Sequence, residues 1–200
     1  MPALLILAAV AAVVVLRRKS ADAAATPPAS PSATSSSSSS SSTGEPVTWR
    51  AEWGTPNSWD AKYPTADPKK PIPYNPADLD PEFRGKLDAA FAELHAQGWD
   101  PRVFEGARSQ HRQAYLYGQG RPDFPVYGRS GKVLTKLLSA SNHGYSPAIA
   151  VDVISSSQGW DNMKFFEALG VAVKRQGLNW GGDWTTLRDY PHVELHPWKG

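Results

Sequence analysis

Two of the five histidines in this 200-residue chain sit beside residues that suggest chemistry. His143 lies in Ser141-Asn142-His143-Gly144-Tyr145, just ahead of the apolar run that carries Asp152. A carboxylate inside Ala-Ile-Ala-Val-Asp-Val-Ile is costly to bury unless something pairs with it. A metal would satisfy Asp152; so would a place at the strand end, facing water or capping a neighbour. His192 follows Asp189-Tyr190-Pro191, where Pro191 forbids a helix and favours extended chain. Asp189 can then reach the open side of a metal held by His192 and act as general base on water, whose pKa a metal lowers to roughly 7. Without a metal, the same four residues are a turn bearing a surface histidine.

A catalytic zinc needs three protein ligands and an open position, and a chain without cysteine must find them among His and carboxylates. The remaining histidines fit less well. His196 lies four residues after His192, between Pro191 and Pro197, and an extended run places the two ~13 Å apart. His95 falls on a polar helix face and His111 in a helix's first turn, both expected to be solvated.

The elements that would position these residues are partly legible. Phe83, Leu87, Phe91 and Leu94 recur at helical spacing over 81–97, with Gly98 placed as a helix-ending glycine. Residues 102–107 have strand character, and Ser109 caps a helix running to about Tyr117. Ala148–Ile154 is β-favouring and bounded by Pro147 and three serines. Asp161 is placed to cap a helix with an apolar stripe of Phe165, Phe166, Leu169 and Val173, closed by Gly177. Short strands near 178–180 and 192–195 flank the Gly181-Gly182 turn, whereas residues 46–75, with three Trp and many prolines, read as irregular. This order predicts one compact α+β domain with a small antiparallel sheet flanked by helices, over 46–200.

Ahead of it lie two segments of other character. Residues 1–19 form a hydrophobic leader: Ala3–Leu16 is an unbroken apolar run followed by Arg17-Arg18-Lys19. Residues 3–16 are a candidate membrane anchor, shorter than the ~20 residues of a spanning helix. The trailing charges favour a cytoplasmic position for Arg17–Lys19, and a cleavable signal would carry its charges ahead of the run. Residues 20–45 are an Ala/Pro/Ser linker, too polar to fold and suited to act as a tether. The expected location is the cell envelope, anchored or secreted, with the side of the membrane open. Net charge is +2, which gives no basic face for nucleic acid, and a monomer is expected.

Asn179-Trp180-Gly181-Gly182-Asp183-Trp184 and Asp189-Tyr190-Pro191-His192-Val193-Glu194-Leu195 closely resemble the C-terminal signature of L-alanyl-D-glutamate endopeptidases. These belong to the M15 superfamily of zinc D-Ala-D-Ala carboxypeptidases and endolysins. Gly106-Ala107-Arg108-Ser109 with Gln113-Ala114-Tyr115-Leu116-Tyr117 resembles the same family's arginine segment. The resemblance covers about Leu87 to Leu195. It implies a hedgehog/D-Ala-D-Ala-peptidase-like fold, with His143, Asp152 and His192 binding zinc and Asp189 as catalytic base. It also implies that Arg108 stabilises an oxyanion or holds a substrate carboxylate, where a salt bridge at a helix start is the plainer alternative. The implied substrate is the peptidoglycan stem peptide, cut between L-Ala and D-Glu. The rivals are a D-Ala-D-Ala carboxypeptidase and a non-catalytic wall-binding module. One departure stands out. The family's Ser-x-His-x-x-Gly-x-Ala-x-Asp block is two residues longer here, with Ala148 in place of its Gly, and the extra length is expected to be absorbed in Gly144–Pro147.

Overall fold

The structure, a computed structural model, describes residues 49–195, all within the unit Pro46–Gly200. The leader 1–19, the linker 20–45, the first three residues of the domain (46–48) and residues 196–200, His196 among them, lie outside the described residues. Among the described residues no helix is long and apolar enough to cross a membrane.

Helices α1 (Ser58–Lys62) and α2 (Pro81–Ala96) come first, then strand β1 (Pro101–Glu105), helix α3 (Gln110–Gly118), strand β2 (Ala150–Ser155), helix α4 (Met163–Arg175) and strands β3 (Asn179–Trp180) and β4 (His192–Glu194). The strands form one antiparallel sheet in the order β1-β2-β4-β3, the α+β arrangement expected from the sequence.

Local chemistry explains the helix ends. Asp80 caps α2 by accepting from the Glu82 and Phe83 amides, Pro81 supplies a preset φ at the first helical position, and Gly98 takes φ +85° just beyond the end. In α4 the cap is Asn162, whose side chain accepts from the Phe165 amide, one residue later than the expected Asp161. The irregular N-terminal stretch also holds a feature not foreseen: α1, closed by a capping box between Asn57 and Asp60.

The sheet separates two jobs by its two faces. Val103, Val151, Val153 and Val193 project to one side and pack under Phe83, Leu87 and Leu94 of α2 and Phe165, Phe166 and Leu169 of α4. Burying each such side chain stabilises the fold by about 1.5–3 kcal/mol before chain entropy is counted. Alternation then sends Ala150, Asp152, His192 and Glu194 to the other side. On β1 the register slips between Val103 and Glu105, so Val103 stays opposite Val153 while Glu105 stands opposite Asp152. This bulge moves Glu105 from the core side, where strict alternation would put it, to the Asp152 side.

Trp180 is clasped between glycines: a Cβ on Gly170 of α4 would lie 2.4 Å from its ring, and one on Gly182 2.3 Å. Alanine normally exceeds glycine in mid-helix by about 1 kcal/mol. Here Gly170→Ala should instead lower the denaturant midpoint, because the ring has nowhere to go; an unchanged or higher midpoint would show that the clasp is loose.

Candidate metal centre

Asp152 and His192 are directly opposed in the β2–β4 register, which places their side chains side by side on the same face. His143 arrives from the 3₁₀ turn Asn142–Gly144, tied down where the Arg108 amide donates to its carbonyl at 3.0 Å. Three atoms converge. His143 Nε2 lies 3.2 Å from His192 Nδ1 and 3.5 Å from Asp152 Oδ1, and His192 Nδ1 lies 3.3 Å from the same oxygen. Zinc ligands at 2.0–2.1 Å in a tetrahedron stand ~3.3–3.4 Å from one another, so the triangle is of the size a tetrahedral zinc would need.

Each ligand is aimed by a partner behind it. His143 Nδ1 donates to the Gly106 carbonyl at 2.8 Å, which leaves Nε2 with its lone pair toward the triangle. His192 Nε2 donates to Glu194 at 3.0 Å, which does the same for Nδ1. The second oxygen of Asp152 accepts from Arg108 Nη2 at 2.9 Å. Such outer contacts fix tautomer and orientation. Glu105 stands behind them, pairing with Arg108 at 2.9 Å and with Arg112 at 3.0 Å. Glu105, Asp152, Asp189 and Glu194 thus gather four carboxylates, against the guanidiniums of Arg108 and Arg112 and the ammonium of Lys132 acting on Asp189, an excess of negative charge that favours a bound cation. Glu194 Oε1 is buried without a hydrogen-bond partner among the described residues, in keeping with a site still short of positive charge.

Asp189 is half-buried at the start of the turn that ends in His192. Its amide donates to the Gly181 carbonyl at 3.0 Å, and its own carbonyl accepts from the His192 amide at 3.1 Å. A Cβ on Gly181 would lie 2.4 Å from the Asp189 oxygen, so only glycine admits this turn. Burial, reinforced by the charge of Asp152, pushes the Asp189 carboxyl up to about 6, near the range in which a general base is most useful. Trp184 packs its ring 4.9 Å from that of His192.

His143, Asp152 and His192 are therefore brought together, and Asp152 sits within its strand, not at its end. Arg108 is in the ion pair with Asp152 and Glu105, but its Nε–H is buried without an acceptor among the described residues. The longer loop is absorbed outward: Tyr145, Ser146 and Pro147 are exposed while His143 remains 1% exposed. His95 is exposed, as expected. His111 is not solvated; it is half-buried, stacked on Trp53 at 5.0 Å and bonded to the Tyr127 hydroxyl. Its expected exposure failed because Trp53 lies far away in sequence. Glu105 and Glu194 were not singled out from the sequence. For Glu194 a signal existed, since a residue two along a strand from His192 shares its face.

The chain is similar to known peptidases in sequence. A profile of M15 peptidases described as D-alanyl-D-alanine carboxypeptidase matches residues 136–195. The peptidoglycan L-alanyl-D-glutamate endopeptidase CwlK of Bacillus subtilis (strain 168) is 33% identical over 134 residues, covering 61% of this chain and 76% of CwlK. The crystal structure of the L-Ala D-Glu endopeptidase ChiX of Serratia marcescens aligns at 27% identity with a TM-score of 0.46, over 61% of this chain and 84% of ChiX.

Two outcomes follow from the geometry. With the metal removed, burial opposes a charged His192, but its hydrogen bonds to Asp152 and Glu194 prevail and raise its pKa from 6.5 to about 9. A raised folded-state pKa stabilises fully below 6.5 and loses that contribution as pH climbs through 9. Thermal melts of chelated protein should therefore show Tm falling across that window, and a flat Tm would refute the cluster's proton. Glu194→Gln should weaken zinc binding by about 10- to 100-fold in competition with a chromophoric chelator; unchanged affinity would remove Glu194 from the site.

Proposed function

This chain belongs to the M15 peptidase family, and on that premise we propose that it is a zinc-dependent hydrolase of peptidoglycan stem peptides, cutting between L-Ala and D-Glu. The observation that carries the reading is the 3.2–3.5 Å triangle of His143 Nε2, Asp152 Oδ1 and His192 Nδ1, with each histidine's other nitrogen engaged behind it. The donor set, two imidazoles and a carboxylate, suits zinc and leaves a fourth position for water or substrate. The chemistry a zinc ion supplies when bound is Lewis-acid activation at neutral pH.

The chain's own residues account for the remaining steps. Asp189 takes a proton from the attacking water on a carboxylate oxygen as the water oxygen joins the scissile carbonyl carbon. It returns that proton to the amide nitrogen as the C–N bond breaks, so that a carboxylic acid and an amine leave. Arg108 holds Asp152 in place, and its spare Nε–H is the donor left for the oxygen that gains charge. Specificity for L-Ala-D-Glu draws on the likeness to CwlK; the D,D-carboxypeptidase reading draws on the description of the matched profile.

Zinc-loaded full-length protein incubated with stem peptides, with products read by mass spectrometry, decides among these. The expected result is cleavage between L-Ala and D-Glu, abolished by chelator and reduced about 10²- to 10⁴-fold by Asp189→Ala. Loss of only a terminal D-Ala would favour the carboxypeptidase. Intact peptides beside a zinc-loaded protein would leave the wall-binding module.

A further inference from the structure

The stretch Trp53–Asp60 lies ahead of the region that resembles the peptidase family, yet it is bonded to the parts of the domain that surround the metal centre. Asp60 offers both carboxylate oxygens to the N-terminus of α3, accepting from the Gln110 amide at 3.0 Å and the His111 amide at 3.1 Å. The Asn57 side-chain amide donates to the Arg108 carbonyl at 3.0 Å. The Trp59 indole donates to the Tyr145 carbonyl at 2.8 Å, and the Gln110 side-chain Nε2 to the Trp53 carbonyl at 2.7 Å. This strap therefore joins the arginine segment to the outward-looped, two-residue-longer stretch that follows His143.

Between strap and loop lies a cleft of about 420 Å³, within the ~300–1,000 Å³ usual for small-ligand sites. Its lining includes Thr55 and Asn57 from the strap, Arg108 and Gln110 beside α3, and Ser141 and Tyr145 flanking His143. It adjoins the metal centre, because Arg108 binds Asp152 and Gly144, also in the lining, follows His143. Among the described residues Arg108 is the only charged one in the lining, and its charge is met by Glu105 and Asp152. The cleft thus offers hydroxyls, amides and one aromatic ring, 54% exposed at Tyr145, without a free charge. That is the lining of a site for the uncharged amide backbone of an extended peptide, not for a carboxylate or a phosphate.

We propose that the strap and the lengthened loop form a substrate subsite that seats a neutral stretch of peptide beside the bond being cut, with Thr55 and Tyr145 as its specificity-determining side chains. The inference rests on the peptidase reading above and adds a wall to the site that lies outside the family resemblance. Both side chains are exposed, so replacing them spares the core.

The test uses zinc-loaded full-length protein and a synthetic stem tripeptide with blocked ends and an amidated α-carboxyl, N-acetyl-L-Ala-γ-D-isoglutaminyl-L-Ala amide, which is uncharged on both sides of the bond to be cut. Calorimetry on the Asp189→Ala form measures binding, and the unaltered form measures turnover. Thr55→Ala with Tyr145→Ala should weaken binding about tenfold, the worth of one or two lost contacts, and raise KM while kcat and zinc content hold. Binding and KM that match the parent would overturn the subsite and leave the peptidase reading intact. A parent protein that neither binds nor cleaves the peptide would overturn both.

Discussion

Asp152 and His192 face each other across a single antiparallel rung, and most of the domain can be understood as what keeps that rung in register. A slip of one residue between β2 and β4 would send one of the two into the apolar layer beneath the sheet. The register is held by the layer itself, since Val151 and Val193 form the neighbouring rung and must both reach the core shared with α2 and α4. The apolar packing that supplies stability thus also sets the geometry of two of the three candidate ligands. The third, His143, comes from a loop and needs its own ties, through the Gly106 and Arg108 backbone.

The polar face is organised by charge. Burial resists ionisation of Asp152 and Glu105, yet His143 and the two arginines hold both below their ordinary carboxylate values. Networks of this kind rarely add net stability over an apolar replacement, because desolvation consumes what attraction returns. Their presence on one face of a sheet whose other face is mainly apolar marks that face as the one shaped for chemistry. A cation bound there would compete with a proton for one place, since without it His192 is the group that takes up positive charge.

The sequence revealed those features that depend on local pattern. Helical spacing and terminal glycines marked α2 and α4 to within a residue or two, and the His143, Asp152 and His192 cluster followed from residue type and family resemblance. What stayed hidden was set by partners distant in the chain. Glu105 reads as the end of a strand until the bulge in β1 turns it toward Asp152. His111 reads as a surface residue until Trp53, more than fifty positions earlier, stacks against it. Asp60 looks like half of a local capping box, which it is, but it also caps a second helix fifty residues on. The longer loop before Asp152 was a question about room, and only the outward path of Tyr145–Pro147 answers it.

The bulge in β1 carries an evolutionary consequence. Where alternation decides which face a side chain meets, the length of a segment matters as much as its residues, and a bulge lets that length change by one without turning the face. Drawn into a regular ladder, Phe104 would turn Glu105 from the Asp152 side to the core side; held out as a bulge, it leaves Glu105 beside Asp152, an effect no point substitution imitates. The Gly144–Pro147 loop has no such arithmetic, and related chains are free to lengthen or shorten it. Length changes in β1 are therefore tolerated only where a bulge takes up the difference, whereas before β2 they need no such compensation, a gradient of length tolerance that runs independently of how variable the residues themselves are.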